Sequence, residues 1–221
     1  MTDFITPTQF HEADGTADWR VLGEGAHAFY RTRSLAESAR LVDAIGALPG
    51  VDDHVPEIDV RRTGVTVRLL TKQSDTYGMS TRDVELASAI SAAAHNLGLS
   101  ADPSVVRSFL VVPGAGSGSA IMPFWEAALG YIRRPDSPEE DLVDPDDRLP
   151  GFWFEDMQEL RGDGGGAIHV AIWLPYELAE ARVAAALAAG GHLVRDRAPM
   201  WWTLADSAGN EIDISTVKGR D

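Results

Sequence analysis

The chain contains no cysteine. Disulfides, thiolate nucleophiles and zinc–thiolate centres are therefore excluded. Basic residues are scarce: 19 Lys and Arg stand against 34 Asp and Glu, giving a formal net charge of −15 over 221 residues. A surface of that sign repels the phosphates of nucleic acid and of anionic lipid, so neither is an expected partner. No uncharged apolar run is long enough to span a bilayer. The opening segment MTDFITPTQFHEADG lacks the basic start and apolar block of a signal peptide. These absences lead to the expectation of a cytoplasmic protein.

What the chain does have is core-forming material, with 44% hydrophobic and 24% charged residues, in a length that suits one large domain or two small ones. A polar segment holding Gly98 and Pro103 divides it. The expected units are residues 1–101 and 104–221. In the first, Thr6 and Pro7 mark a short helix start, and WRVLGEGAHAFYRTR reads as one or two strands. Ser34 with Glu37, and Ser80 with Asp83, have the spacing of helix N-terminal capping boxes. The helix after Ser34 is expected to bury Leu35, Ala39, Leu41, Val42 and Ile45. Between the two helices, IDVRRTGVTVRLL alternates as a hairpin with Thr63-Gly64 as its turn. That register brings His54 and Lys72 to one open end.

An internal repeat organises the second unit. VVRSFLVVPG leads to the helix AIMPFWEAALGY, and AIHVAIWLPY leads to ELAEARVAAALAAGG; strand-like pieces follow each helix. The pattern is a duplicated β-α-β-β-β unit, with Arg107 and His169 each six residues before a proline. The glycine-rich stretches GAGSGS and GDGGG lack the lysine pattern of a nucleotide loop. PDSPEEDLVDPDD reads as a solvated acidic loop without calcium-loop spacing.

Trp19, HVPEIDV, LLTK and GMSTRDVELASAI carry a resemblance, over about Thr6 to Gly98, to the pterin-4a-carbinolamine dehydratase family. That family's hairpin opens with His-His-Pro-Glu and ends in Leu-x-Thr-His. Its histidine cluster moves protons between a leaving hydroxyl and a pterin ring nitrogen. His54 matches the first histidine, while Val55 and Lys72 occupy the positions of the other two. The resemblance implies His54 as acid–base, Lys72 as an auxiliary cation, and Pro56, Glu57 and Asp83 as substrate-binding support. It implies no cofactor. Valine transfers no proton, and loss of one positioned proton-transfer group typically costs about 10²–10⁴ in rate.

From about Ser104 onward, FWEAALGY, GFWFED, IHVAIWLP, AALAAGGHLV and WWTLADSAGNEIDIS resemble a glyoxalase-like domain of the vicinal oxygen chelate superfamily. Its metal-using members place ligands on four strands around a cleft. The resemblance places His169, Asp213 and Glu155 at ligand positions, with Glu211 one alternation from Asp213. Arg107 holds the fourth, where its fixed charge opposes a divalent metal. The expectation is therefore either a core histidine satisfied by one hydrogen bond or a metal-free ligand pocket, with a divalent metal disfavoured.

The fold expected is α+β: a dehydratase-like antiparallel sheet with helices on one face, then the duplicated glyoxalase-like unit. The function implied is removal of water from the pterin 4a position, a lyase reaction, by a homodimer. The alternatives are a non-catalytic small-ligand-binding or assembly protein, and an enzyme acting through the glyoxalase-like cleft.

Overall fold

The structure is a computed structural model, and it describes residues 3–157, 167–205 and 211–220. The GDGGG stretch lies outside the described residues. In chain order the first half contains β1 (Phe4–Ile5), α1 (Pro7–Glu12), β2 (Arg20–Leu22), β3 (Gly25–Arg31), α2 (Leu35–Gly46), β4 (Glu57–Arg61), β5 (Gly64–Leu69), β6 (Thr71–Lys72), β7 (Tyr77–Ser80) and α3 (Thr81–Asn96). The second contains β8 (Ser108–Ala115), α4 (Gly118–Leu129), β9 (Ile132–Arg133), β10 (Asp141–Val143), β11 (Gly151–Trp153) and β12 (Glu155–Asp156). It continues with β13 (Ala167–Trp173), α5 (Tyr176–Ala188), β14 (His192–Arg197), β15 (Trp201–Ala205) and β16 (Glu211–Ser215). The fold is α+β, as expected. Among the described residues no helix is long and apolar enough to cross a membrane.

Alternation decides the faces of the first half. In the sheet β2-β3-β5-β4, Ala26, Ala28, Tyr30, Val65, Val67 and Leu69 point to one side. There they form a core with Leu41 and Ile45 of α2 and with Ala87, Ile90 and Ala94 of α3. Trp19 is fully buried in this core. Its indole N–H donates to the Ala87 carbonyl at 3.1 Å and to Ser91 Oγ at 3.0 Å, so the large apolar ring leaves no polar atom unsatisfied. Thr6 caps α1 reciprocally with Gln9, and Ser34 accepts from the Glu37 backbone at the start of α2.

Two local expectations are corrected. Leu35 is 77% exposed and Ala39 is exposed too, whereas α2 buries Leu41 and Ile45 as expected and Glu37 and Ser38 beside them. Ser38 replaces an apolar residue on that face because its hydroxyl bonds Thr32 Oγ1 at 2.7 Å. The hairpin turn is Arg62-Thr63 rather than Thr63-Gly64, with Arg61 opposite Gly64 and Glu57 opposite Arg68. Gly64 belongs to the strand because a side chain there would collide with the Phe29 ring and the Tyr30 carbonyl. The shift moves each strand by one residue, so inward and outward faces are kept.

The second half is one sheet in the order β14-β15-β16-β13-β8-β11-β10-β9, with β12 also on β8. In each repeat the first strand pairs parallel with the last, β8 with β11 and β13 with β16. The two first strands pair antiparallel with each other at the centre. The duplication read in the sequence is thus visible as a near-symmetric sheet, with α4 and α5 on its convex side over separate small cores.

The outer face of the first sheet meets the second half through Leu22, Phe29, Val105, Val106 and Trp173. Closest approach occurs at Gly23 in the β2–β3 turn, where an added Cβ would lie 2.6 Å from the Trp173 ring. Gly23→Ala is therefore expected to destabilise the protein by about 1–3 kcal/mol through overpacking. Gly46→Ala, at a helical position with open space around it, should stabilise by about 0.5–1 kcal/mol. Thermal unfolding of the two variants should move in opposite directions.

Candidate functional site

His54 follows the short 3₁₀ turn Val51–Asp53 and is largely buried. Its Nε2 lies 2.7 Å from Asp83 Oδ1. A carboxylate only accepts, so Nε2 carries the hydrogen and Nδ1 is the basic nitrogen of the neutral ring. Asp83 is fully buried at the start of α3. Its second oxygen accepts from Thr71 Oγ1 and Ser80 N, each at 2.7 Å, and from Ser80 Oγ at 2.9 Å. Burial is the largest single influence on this carboxyl and raises its pKa. The hydrogen bonds from His54, Thr71 and Ser80 together outweigh it and hold the group below its ordinary 3.8. Asp83 thus joins the capping of α3 to the orientation of His54. Both of its oxygens are engaged by protein groups.

Lys72 is one residue beyond Thr71 in an extended segment and so points to the opposite side. Its ammonium is 2.6 Å from Asp147 Oδ2 and 3.3 Å from Glu57 Oε1. Arg68 binds Glu57 at 2.5 Å and Asp147 at 3.3 Å. Asp147 reaches these cations with its backbone at φ 53, a left-handed conformation that Asp tolerates better than most residues. The acidic loop expected to be only solvated therefore clamps the dehydratase-like hairpin. Pro56 is buried behind Glu57, and Val55 is 71% exposed.

Above this ionic cluster lies a cleft of about 970 Å³ between the first sheet and residues 143–151. Two groups on its wall carried no sequence signal beyond a strand and a turn. His27 donates from Nδ1 to the Gly25 carbonyl at 3.1 Å. Burial first, and the charge of Arg68 second, lower its pKa to about 4, so it is neutral at pH 7. Glu24, in the β2–β3 turn, is shared with a second cavity. Burial raises its pKa, aided by Glu57 and Asp147 and opposed by Arg68 and Arg134.

That second cavity, about 320 Å³, lies on the concave face of the nine-stranded sheet and contains Glu155, His169 and Asp213. His169 Nε2 is 3.4 Å from Asp213 Oδ2, and Asp213 Oδ1 accepts from Thr203 Oγ1 at 2.6 Å. Burial is the strongest single influence on His169 and lowers its pKa. The bond and charge of Asp213, with the charges of Glu155 and Glu211, outweigh it and raise the value above 6.5. Glu211 itself pairs with Arg195 at 2.8 Å.

Arg107 is not in this cavity; it lines the larger cleft. Its assignment used a repeat offset of 62, anchored on Pro113 and Pro175. In the structure Pro113 sits inside β8, whereas Pro175 caps α5, so the two prolines are not equivalent. His169 shares a face with Ser108, Leu110 and Val112, and an even offset sends Arg107 to the other face. The donor set does not fit a divalent metal. His169 and Asp213 engage each other, Arg195 and Arg220 add positive charge to the wall, and among the described residues no three His, Asp or Glu side chains group as ligands.

Residues 5–93 match the family model of pterin 4 alpha carbinolamine dehydratase, and residues 111–215 match that of the glyoxalase-like domain. Comparison with curated proteins finds no match. Among solved structures, the chain is similar to the crystal structure of NAD-dependent benzaldehyde dehydrogenase from Legionella pneumophila. The identity is 12% and the TM-score 0.39, over 50% of this chain and 99% of that one. A likeness at that level carries no argument.

Two measurements probe the dyads. Asp83→Ala should cost about 1–3 kcal/mol in chemical denaturation, because Thr71, Ser80 and His54 lose a buried acceptor. In an NMR titration, His169 should show a midpoint above 6.5. Its raised pKa means that its contribution to stability is complete below pH 6.5 and is lost as the pH rises through the folded value. The stability difference from His169→Gln should therefore shrink on the alkaline side.

Proposed function

With a pterin 4 alpha carbinolamine dehydratase segment followed by a glyoxalase-like segment in one chain, we propose that the protein removes water from the 4a position of a hydroxylated tetrahydropterin. The observation that supports this most is the His54–Asp83 pair. A buried carboxylate held below its ordinary pKa fixes the imidazole tautomer and stabilises the imidazolium once it forms, the arrangement that general acid–base catalysis requires. In this reading Nδ1 of His54 takes the proton from the ring nitrogen. The imidazolium then returns a proton to the departing hydroxyl, so one water leaves and the ring gains a double bond. Asp83 is a positioning residue.

Lys72 differs from the role the family pattern suggests. Held by Asp147 and Glu57, its charge is balanced before any substrate arrives. It shapes the electrostatics of the hairpin without transferring a proton. A histidine cluster reduced to one member points to a slow enzyme.

A second reading, chemistry in the glyoxalase-like cleft, is favoured by one observation. His169 and Asp213 form a further oriented pair, and this one lies inside a cavity of about 320 Å³.

The deciding assay uses freshly generated 4a-hydroxytetrahydropterin. Wild type should accelerate dehydration, and His54→Ala should lose about 10²–10⁴ of that acceleration, with His169→Ala unchanged. Absence of acceleration by wild type would overturn the proposal. Loss in His169→Ala alone would move the chemistry to the cleft.

A further inference from the structure

The concave cavity has a polarity along its length that sheet register makes explicit. Ser108 of β8 pairs with Trp173 of β13, Trp173 with Ser215 of β16, and Ser215 with Trp201 of β15. These four residues form one transverse row across the floor. Arg220 lies over its two indoles, with the guanidinium 4.8 Å from the Trp173 ring and 5.4 Å from that of Trp201. At the opposite end stands Glu155, whose strand pairs with Gly114, six residues further along β8. At about 3.3 Å per residue that separates the ends by roughly 20 Å. His169 and Asp213 occupy the rows between them.

The row end is where an anion is wanted. Arg220 donates from Nε to the Thr216 carbonyl at 2.9 Å, and among the described residues no carboxylate pairs with it. The nearest candidate, Asp213, has one oxygen on Thr203 and the other facing His169. Ser108 Oγ is buried without a hydrogen-bond partner among the described residues. Among the described residues, a guanidinium without a carboxylate partner and a hydroxyl without a hydrogen-bond partner stand beside two indoles, which suits a planar group ending in a carboxylate or similar oxyanion. Leu110, Val112 and Ala171 supply the apolar floor beyond.

Ser108, Arg220, Gly23 and Glu24 all lie outside residues 111–215, the segment that matches the glyoxalase-like model. The first-half turn completes the wall, with Gly23 on Trp173 and Glu24 against Gly151. We infer that this cavity is a composite binding site for a planar organic anion, its charged end held by Arg220 and Ser108 and its ring lying along Trp173 and Trp201 toward His169. The site is separate from the proposed dehydratase chemistry at His54 and does not rest on it.

Isothermal titration calorimetry on the full chain tests this with 2-naphthoate and its neutral counterpart 2-naphthylmethanol as probes. Wild type should bind one equivalent of 2-naphthoate at least about tenfold more tightly than the alcohol. Arg220→Leu should remove that preference, Arg220→Lys should keep part of it, and Ser108→Ala should weaken the acid alone. Glu155→Gln, at the other end, should retain it, and His54→Ala should leave both affinities unchanged. Melting temperatures within a few degrees of wild type establish that the variants fold. No binding of 2-naphthoate to wild type at millimolar concentration, equal affinity for the two probes, or an unaltered preference in Arg220→Leu would each overturn the inference.

Discussion

The seven-pair antiparallel seam between β8 and β13 governs the second half. It joins the two repeats into one sheet, and the register it sets determines which side chains share the concave face. Because successive residues of a strand alternate sides, a slip of β13 by one position would take His169 and Trp173 out of the cavity and leave Ser108 of β8 behind. The pairing of β13 with β16 and of β16 with β15 then carries the same rows outward to Asp213 and Thr203. The cleft is a property of register before it is a property of any residue.

Two histidine–aspartate pairs result from different local physics. Asp83 is saturated by donors from three directions and anchored at a helix start, so His54 is held by a group that is itself immobilised. Asp213 sits on an open strand face with a threonine on one oxygen and a histidine at longer range on the other. The first pair trades freedom for orientation. The second leaves room between its walls.

Much of this was legible in the sequence. The capping boxes at Ser34 and Ser80, the helices they start, the hairpin and the duplicated unit all follow from residue spacing, because caps and alternation act over a few residues. His54, Asp83, His169 and Asp213 were found because motif positions survive in one dimension. Arg107 was misplaced because a repeat offset read from prolines was wrong in parity, and parity is invisible without the pairing. Asp147, Glu24 and Arg220 were missed for another reason. Asp147 reaches Lys72 and Arg68, Glu24 reaches Arg68 and Arg220 reaches Trp173, all far apart in sequence, and nothing in LGEGA or PDDR announces what it will touch. The acidic surplus that reads as solubility in composition becomes, at Asp136 and Asp147, a set of ties between the halves.

The contact of the Gly23 turn with Trp173 has a practical meaning for anyone dividing the chain. Cutting near residue 102 would bare Leu22 and Phe29 on one fragment and Trp173 with Val105 and Val106 on the other, and would take Asp147 from Lys72 and Arg68, leaving them Glu57. Each fragment would carry a bared apolar patch beside a depleted ion cluster. The intact chain is therefore the right unit for expression, crystallisation and assay, even though each half matches a family model of its own.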